Sequence, residues 1–168
     1  MKAQSEHPNS KSRFLIRRAK LRDMRTLVHH RRGMWEDMGV RNPAALDRAD
    51  GAYEEWARVG LRSGDLVAWV VEAVNHGVVG GGCLWLRPEQ PHPDVSTPVE
   101  PYLFSMFTEP EFRRKGIASR IIKEAVKWSR RKGYRRILLH ANKKGRRLYR
   151  KHGFKRTWEM RLKFRQSQ

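Results

Sequence analysis

The chain has 168 residues, of which 39% are apolar and six are tryptophan, enough to build the core of one domain. Its single cysteine excludes an internal disulfide, and no run approaches the roughly 18 apolar residues of a membrane span. The formal net charge of +20 is uneven, because residues 111–168 hold 22 Lys and Arg against 3 Asp and Glu, whereas residues 33–110 hold 5 against 12. The basic part predicts a polyanionic partner, either nucleic acid or a nucleotide cofactor with several phosphates, unless the charge only solvates the surface.

The first 11 residues are polar and lack the apolar stretch of a secretory signal. We expect them to form a disordered basic tail, followed by one domain over residues 12–168 of a cytoplasmic protein. No internal repeat or interdomain linker interrupts that domain.

The N-terminal half predicts a strand, two helices and a hairpin. Residues 14–18 are short and apolar, and from residue 23 to 38 apolar side chains recur at helical spacing until Gly39. Asn42-Pro43 reads as an N-cap followed by proline at the first position of a second helix. Residues 66–74 and 78–86 are rich in β-branched side chains around a tight turn, which predicts the hairpin. The run Gly80-Gly81-Gly82 inside its second strand indicates a bulge or the close approach of another chain segment.

The C-terminal half predicts alternating strands and helices. A proline-rich loop precedes a strand over residues 102–108, and residues 117–128 form a strongly amphipathic helix that Gly133 ends. A short strand over 137–139, a helix over 146–151 and one or two closing strands over 154–164 complete the chain. The order β-α-α-β-β-β-α-β-α-β predicts an α/β protein, with a mixed sheet flanked by helices.

One turn stands out between the strand over 102–108 and the following helix: Arg113-Arg114-Lys115-Gly116-Ile117-Ala118. A helix N-terminus presents unpaired N–H groups and partial positive charge, and Gly116 permits close approach of a ligand. The three cations beside those amides suit a pyrophosphate. An ordinary helix start with solvated arginines would contain the same residues.

The pattern R-x-x-G-x-A in this turn resembles a signature of the GCN5-related N-acetyltransferase (GNAT) superfamily. A second segment, from Asn142 through Leu148-Tyr149 to Gly153-Phe154, resembles that superfamily's later signature, at the usual separation. The resemblance covers roughly residues 12–164. It implies a central, mostly antiparallel sheet that splays between its fourth and fifth strands, about four flanking helices, and an enzyme that transfers the acetyl group of acetyl-CoA to a primary amine.

The resemblance also implies which residues hold acetyl-CoA. The backbone of the fourth strand would pair with the pantetheine arm, the N–H of Met106 would stabilise negative charge on the thioester oxygen, and the turn amides would hold the pyrophosphate. Asn142 would contact the pantetheine or fix the strand end, although an N-capping or turn role fits it as well. The expected cofactor-binding residues are Met106, Phe107, Thr108, Arg113, Arg114, Lys115, Gly116, Ile117, Ala118, Ser119, Asn142 and Tyr149.

Tyr149 matches the superfamily's general acid, which protonates the departing thiolate. For the general base, the resemblance favours a carboxylate on or near the fourth strand, and Glu100 is that candidate; it could equally be a solvated loop residue. Glu36 and Asp37 are the other candidates for the base, and His140, after the fifth strand, could also face the cleft or be a satisfied core or strand-end histidine. The first helix of such enzymes lines the acceptor pocket, which assigns Trp35, Glu36 and Asp37 to substrate binding. The two acids would attract a cationic amine, or they form a surface charge pair.

The histidines lack the spacing of metal ligands, so we expect no metal. The dense basic run over residues 127–136 supports an alternative function, a nucleic-acid- or ribosome-associated protein on the same fold, although no helix-turn-helix, zinc finger or RNA-binding aromatic strand accompanies it. Both functions could coexist in one protein. Members of the superfamily are often dimers, so a homodimer is a further expectation.

Overall fold

A computed structural model of the protein describes residues 14–91, 93, 98–162 and 164. The predicted tail over residues 1–11 lies outside them. The elements are β1 Phe14–Arg18, α1 Met24–Asp37, α2 Pro43–Ser63, β2 Leu66–Ala73, β3 Gly77–Pro88, β4 Val99–Thr108, α3 Ile117–Arg131, β5 Leu138–Leu139 and α4 Arg146–Lys151, with 3-10 turns at Leu21–Asp23 and Pro110–Phe112.

Local signals set the ends of the helices as the sequence predicts. The side chain of Asn42 accepts a hydrogen bond from the N–H of Ala45 at 3.1 Å, and Pro43 opens α2. Gly64 ends α2 in the left-handed conformation with φ +88°. The α2 helix therefore begins and ends where its own residues satisfy the free backbone groups, before any tertiary contact is considered.

The five strands form one sheet in the order β1-β2-β3-β4-β5, and all neighbours are antiparallel except β4 and β5. The parallel pair is short, because only Tyr102 with Leu138 and Leu103 with Leu139 are in register. The rest of β4, up to Thr108, has no β5 partner. A gap therefore opens between the two strands, as the sequence analysis expects.

Helices cover both faces of the sheet. The α3 side packs Ile117, Ile121 and Ile122 against Trp69 and Leu103, all of them buried. On the opposite face, α1 and α2 contribute Met24, Leu27, Tyr53 and Ala57, which pack on Val70 and Cys83. Each fully buried large apolar side chain stabilises the fold by roughly 1.5–3 kcal/mol. The two cores hold β4 rigidly between the helices that border the gap.

The three consecutive glycines of β3 let helices approach the sheet closely. A Cβ on Gly80 would lie 2.8 Å from Cγ2 of Ile117 on α3, and one on Gly81 would lie 2.8 Å from Nδ1 of His30 on α1. A Cβ on Gly82 would collide with the sulfur of Met106. The register between β3 and β4 also shifts after Gly81. Of the two alternatives that the sequence left open for the glycines, close backbone approach is confirmed, because a Cβ on Gly80 would lie 3.1 Å from the carbonyl oxygen of Phe107 and one on Gly81 would lie 3.0 Å from that of Trp69. The extra residue of the register shift lies on β4 instead.

The closing strand predicted over residues 154–164 is wrong for the part of that segment the structure describes, where no strand forms. The apolar residues Trp158, Met160, Leu162 and Phe164 alternate as strand residues do, but their side chains are exposed. Alternation gives a strand only where a neighbouring edge offers hydrogen bonds, and β5 has just two residues. Among the described residues no helix is both long and apolar enough to cross a bilayer.

Candidate active site

A cleft of about 1580 Å³ follows the gap between β4 and β5. Its lining comes from β4, from the turn before α3, from the α4 region, and from α1 and α2. The turn and α4 form one end, which we call the basic end; α1, α2 and the start of β4 form the other, which we call the aromatic end. Both ends meet at the unpaired part of β4.

The turn at the basic end has the geometry of an anion site. Arg114 has φ +66° and Gly116 has φ +81°, while Lys115 between them has no positive φ. Such alternation points successive N–H groups towards one side, where they bind anions. In the described structure, no hydrogen bond occupies the backbone N–H groups of residues 114–119. The turn predicted from sequence therefore presents free donors at the N-terminus of the 15-residue helix α3.

Arg113 ties this turn to the rest of the cleft. Its Nε donates to the carbonyl of Thr108 at 3.0 Å, and its terminal nitrogen donates to Oδ2 of Asp37 at 2.7 Å. The guanidinium carbon also lies 5.6 Å from the centre of the Phe107 ring. Arg113 thus connects the end of β4 to the end of α1, and its guanidinium forms an ion pair with the carboxylate of Asp37.

A bulge in β4 shapes the middle of the cleft. Gly81 pairs with Phe107 and Cys83 pairs with Phe104, so β4 has one more residue than β3 across this stretch, and Ser105 takes φ +48°. The bulge turns both Phe104 and Ser105 towards α1 and α2, while Met106 packs against the α3 side. Met106 lines the cleft along the part of β4 that has no β5 partner.

Tyr149 lines the cleft from α4, and its ring packs edge-on against Phe154 at 5.8 Å. Burial raises the pKa of its phenol to about 12. Nothing in the described structure hydrogen-bonds to this hydroxyl. A protonated, unpartnered phenol at a cleft wall is available to donate a proton.

Asn142 also lines the cleft, but its side-chain oxygen accepts the N–H of Gly145 at 2.7 Å. This bond closes the turn that leads into α4 and so positions Tyr149 four residues further on. The turn role that the sequence left open for Asn142 is therefore the one its side-chain oxygen performs.

The structure does not bring Glu100 to the cleft. Its carboxylate is buried and accepts hydrogen bonds from Arg87 at 2.9 Å and from Arg136. Glu100 lies near the start of β4, whereas the gap between β4 and β5 opens only after Leu103. Glu100 comes three residues before Leu103 and is therefore too early in the strand to face the gap. Two arginines hold the carboxylate as a structural ion pair, which argues against a base at this position.

The three residues predicted to bind the acceptor do not all line the cleft. Trp35 and Asp37 line the cleft, but Glu36 does not, and its carboxylate lies 3.5 Å from Nε of Arg32. Asp37 is engaged by Arg113. The expected acidic pair does not form.

Sequence reasoning missed most of the aromatic end. Arg31 from α1 and five aromatic side chains from α2, β3 and β4 line this end, and no motif marks any of them. The five are Tyr53, Trp56, Trp85, Tyr102 and Phe104.

A series of hydrogen bonds runs beside β5 from Tyr102 and His140, which line the cleft, to Glu159. The hydroxyl of Tyr102 contacts Nδ1 of His140, and Nε2 of His140 lies 2.7 Å from Oε1 of Glu159. A terminal nitrogen of Arg161 also lies 2.8 Å from Nε2. A carboxylate only accepts and a guanidinium only donates, so Nε2 serves Glu159 when it is protonated and Arg161 when it is bare; in the protonated case Nδ1 accepts from Tyr102. The hydrogen bond to His140 lowers the pKa of Glu159, while burial raises that of Tyr102. His140 therefore links the hydroxyl of Tyr102 to one acidic and one basic side chain.

Three or more His, Cys, Asp or Glu side chains placed to hold a metal ion occur nowhere in the described structure. The fold and the cleft together define an α/β domain with a turn of free backbone N–H groups at a splayed sheet and an aromatic pocket beside it. The family model of the Acetyltransferase (GNAT) family matches residues 26–154. The chain belongs to this family, which supports an acetyl-transfer function. No curated protein sequence matches the chain significantly.

Solved structures share the fold. A GCN5-related N-acetyltransferase from Ralstonia eutropha JMP134 is 24% identical, with a TM-score of 0.82 over 90% of this chain and 99% of its own. A predicted acetyltransferase with acetyl-CoA from Clostridium acetobutylicum is 26% identical, with a TM-score of 0.81 over 91% and 96%. A ribosomal-protein-alanine N-acetyltransferase from Brucella melitensis biovar Abortus 2308 is 18% identical, with a TM-score of 0.66 over 90% and 99%.

Proposed function

We propose that this protein transfers the acetyl group of acetyl-CoA to a primary amine that enters from the aromatic end. The observation that carries the proposal is the turn over residues 113–119, whose free amides and cations border the gap between β4 and β5. Family membership supports it, and so does the Clostridium acetobutylicum protein, whose structure contains acetyl-CoA.

The basic end fits the phosphates of acetyl-CoA. The N–H groups of residues 114–119 would hold the pyrophosphate, with Arg113, Arg114 and Lys115 neutralising its charge. The backbone of Met106, Phe107 and Thr108 would pair with the pantetheine arm along the open edge of β4. The small side chain of Ala118 and the absence of one at Gly116 keep the mouth of the turn clear.

Bound acetyl-CoA supplies a thioester whose carbonyl carbon the amine nitrogen attacks, with loss of the CoA sulfur as leaving group. The N–H of Met106 would stabilise the negative charge that develops on the thioester oxygen; loss of one such donor costs about 3–4 kcal/mol in other enzymes. Tyr149 would donate its phenolic proton as the carbon–sulfur bond breaks. Its raised pKa, about 12, keeps it protonated at neutral pH.

The amine must lose a proton to attack and to become an amide. We assign this proton to the chain of Tyr102 and His140: Tyr102 accepts it on its oxygen while passing its own proton to Nδ1 of His140. In the tautomer with Nε2 protonated, Glu159 would stabilise the resulting imidazolium through Nε2, against the charge of Arg161 beside it. The hydrogen-bonded pair of Tyr102 and His140 thus replaces Glu100 as the proposed general base.

The experiment that tests the proposal has two stages. Calorimetric titration with acetyl-CoA should give saturable binding, and a panel of amines should then release CoA thiol, with the acetylated amine identified by mass. Absence of acetyl-CoA binding at millimolar concentration would refute the proposal. Binding of acetyl-CoA without transfer to any amine would refute the enzymatic part.

A second candidate function, nucleic-acid binding, has its own observation. The outer face of α3 carries a shallow groove lined by Lys123, Lys127, Arg130, Arg131 and His152. This groove lies outside the cleft, so acetyl-CoA does not account for its charge. Binding of an RNA duplex should weaken about 10³-fold or more between 50 and 200 mM salt if 6–10 phosphates are contacted. Flat salt dependence or no binding would remove this candidate, and transfer activity would be unaffected.

A further inference from the structure

We propose that the acceptor is an amine that also carries a carboxylate and an apolar or aromatic side chain, in the manner of an apolar α-amino acid. Arg31 would bind the carboxylate and the aromatic end would hold the side chain. This inference rests on the proposed acetyl transfer and names the substrate class of the same site.

Arg31 is a guanidinium without a counter-ion. Among the described residues no carboxylate lies within ion-pair distance of it, and its buried Nε has no hydrogen-bond partner. Its one hydrogen bond goes from a terminal nitrogen to Oγ of Ser105 at 3.1 Å. The neighbouring Arg32, by contrast, pairs with Asp47 at 2.8 Å and with Asp50. The buried Nε is out of a ligand's reach, but the two terminal nitrogens have donors beyond the one used on Ser105. A half-buried arginine of this kind at a cleft wall is suited to bind a carboxylate ligand.

Aromatic rings hold Arg31 in place. Its guanidinium carbon lies 4.6 Å from the centre of the Tyr53 ring and 5.5 Å from that of Trp35. These contacts favour the cation over a ring face and restrict its rotamers without neutralising its charge. The guanidinium is therefore oriented before any ligand arrives.

The rest of the aromatic end offers an apolar surface. Trp56 is 38% exposed and packs edge-on against Trp85 at 5.5 Å and Phe104 at 5.9 Å. Tyr102 lies next to Phe104 at 6.3 Å and continues the wall towards His140. A ligand side chain that covers these rings gains from the removal of apolar surface from water. Small polar amines lack that gain.

The charges of the cleft disfavour a polycationic acceptor. Within the part of the chain that the structure describes, Asp37 is the one acid that lines the cleft, and Arg113 already engages it. Arg31 and Arg161 line the same cleft as cations. A substrate with several ammonium groups would meet repulsion there, whereas one ammonium beside a carboxylate would not.

The position of Arg31 also limits the distance between carboxylate and amine. Its partner Ser105 directly precedes Met106, whose N–H we assign to the thioester oxygen. A carboxylate on Arg31 therefore lies close to the reacting carbonyl. This favours an amine on the carbon that bears the carboxylate, or on the next carbon.

The test compares phenylalanine, leucine, methionine and tryptophan with their amides, with phenethylamine, and with spermidine, by CoA release. We expect kcat/KM to fall about 10- to 100-fold when the carboxylate is removed, the size of a charge-assisted pair. Arg31→Met should remove this difference: it should lower kcat/KM for phenylalanine by the same factor and leave phenethylamine unchanged. The matched control is Arg32→Met, the adjacent arginine with its own carboxylates, which should change neither substrate. A folding defect in either variant would show as a lower Tm or as a higher Kd for acetyl-CoA.

Equal rates for phenylalanine and phenethylamine, or a preference for spermidine, would overturn the inference and leave the proposed function intact. The same holds if acetyl-CoA binds and another amine is acetylated but none of the four amino acids is. Failure of acetyl-CoA to bind would instead count against the proposed function itself. If Arg31→Met lowers the Tm strongly, Arg31→Lys provides the second reading, because it keeps the charge and should retain part of the preference for the carboxylate.

Discussion

The two ends of the cleft are built in opposite ways. At the basic end, one contiguous segment, residues 113–119, presents mostly backbone N–H groups at the start of a helix, and α4 borders it. Side chains from four separate elements supply the aromatic end: Arg31 from α1, Trp56 from α2, Trp85 from β3 and Phe104 from β4. The basic end therefore depends on local backbone geometry, whereas the aromatic end depends on side chains that only the tertiary fold assembles.

The ends are joined at β4 and by one ion pair. The β4 bulge places Ser105 beside Arg31 and leaves Met106 in the gap, so one irregular stretch serves both. Asp37 of α1 meets Arg113 of the turn at 2.7 Å. Substitutions at the basic end, at the aromatic end and in this ion pair should therefore affect acetyl-CoA and the amine to different degrees.

The largest effect is expected for Tyr149→Phe, at the point where both substrates react. Loss of a general acid should lower kcat about 10²-fold or more, with little change in the KM of either substrate, because the hydroxyl has no structural hydrogen bond to lose. Since the pKa of Tyr149 is about 12, activity should show no loss from its deprotonation up to about pH 10. Steady-state kinetics against pH would measure both.

The matched control is Tyr134→Phe, a tyrosine that stacks on Trp128 at 6.0 Å and does not line the cleft. It should retain full activity. Unchanged turnover of Tyr149→Phe with chemistry rate-limiting would exclude Tyr149 as the acid.

The next effect concerns the proton acceptor at the aromatic end. His140→Asn should lower kcat/KM about 10- to 100-fold at neutral pH, because no imidazole then receives the proton from Tyr102. The defect should shrink as pH rises, since more of the amine is already neutral in solution. His76→Asn, at the β2–β3 turn, is the control and should behave as the parent. A defect that is independent of pH would mean that His140 only positions Tyr102.

A smaller effect should distinguish the basic end from the aromatic end. Gly116 and Gly133 have nearly the same backbone, with φ +81° and +82°, and open space where a Cβ would stand. Alanine should cost roughly 1–2 kcal/mol of stability at either position. Only Gly116→Ala should also weaken acetyl-CoA binding, about 10-fold, without changing the KM of the amine. Equal acetyl-CoA affinity in the two variants would show that the turn does not hold the phosphates.

The smallest effect is expected for Asp37→Asn, which breaks the link. The pair is exposed, so the free energy of unfolding should change by less than about 0.5 kcal/mol. Acetyl-CoA should bind about two- to threefold tighter at low salt, because Arg113 is released, and the gain should vanish at high salt. Glu36→Gln is the control. A tenfold loss in kcat/KM for the amine would instead assign Asp37 to acceptor binding.

The parts of the site that sequence predicted are those that depend on neighbouring residues in the chain. The turn over residues 113–119 and the helix that carries Tyr149 form from local backbone geometry, so their motifs were sufficient. Trp35 and Asp37 also line the cleft; they were named through the resemblance, which assigns the first helix to the acceptor pocket.

The tertiary structure decided the rest. Arg31 and Ser105 are 74 residues apart, and Asp37 and Arg113 are 76 apart, so no spacing reveals their contacts. Glu100 has the right residue type, but the length of the β4–β5 pairing, which no local pattern determines, sets where the gap opens. The alternating residues 158–164 show the same dependence, because a strand needs a neighbouring edge. Helix ends and turns satisfy their own backbone groups and can be predicted locally, whereas sheet register and side-chain pairing are settled only when distant segments pack together.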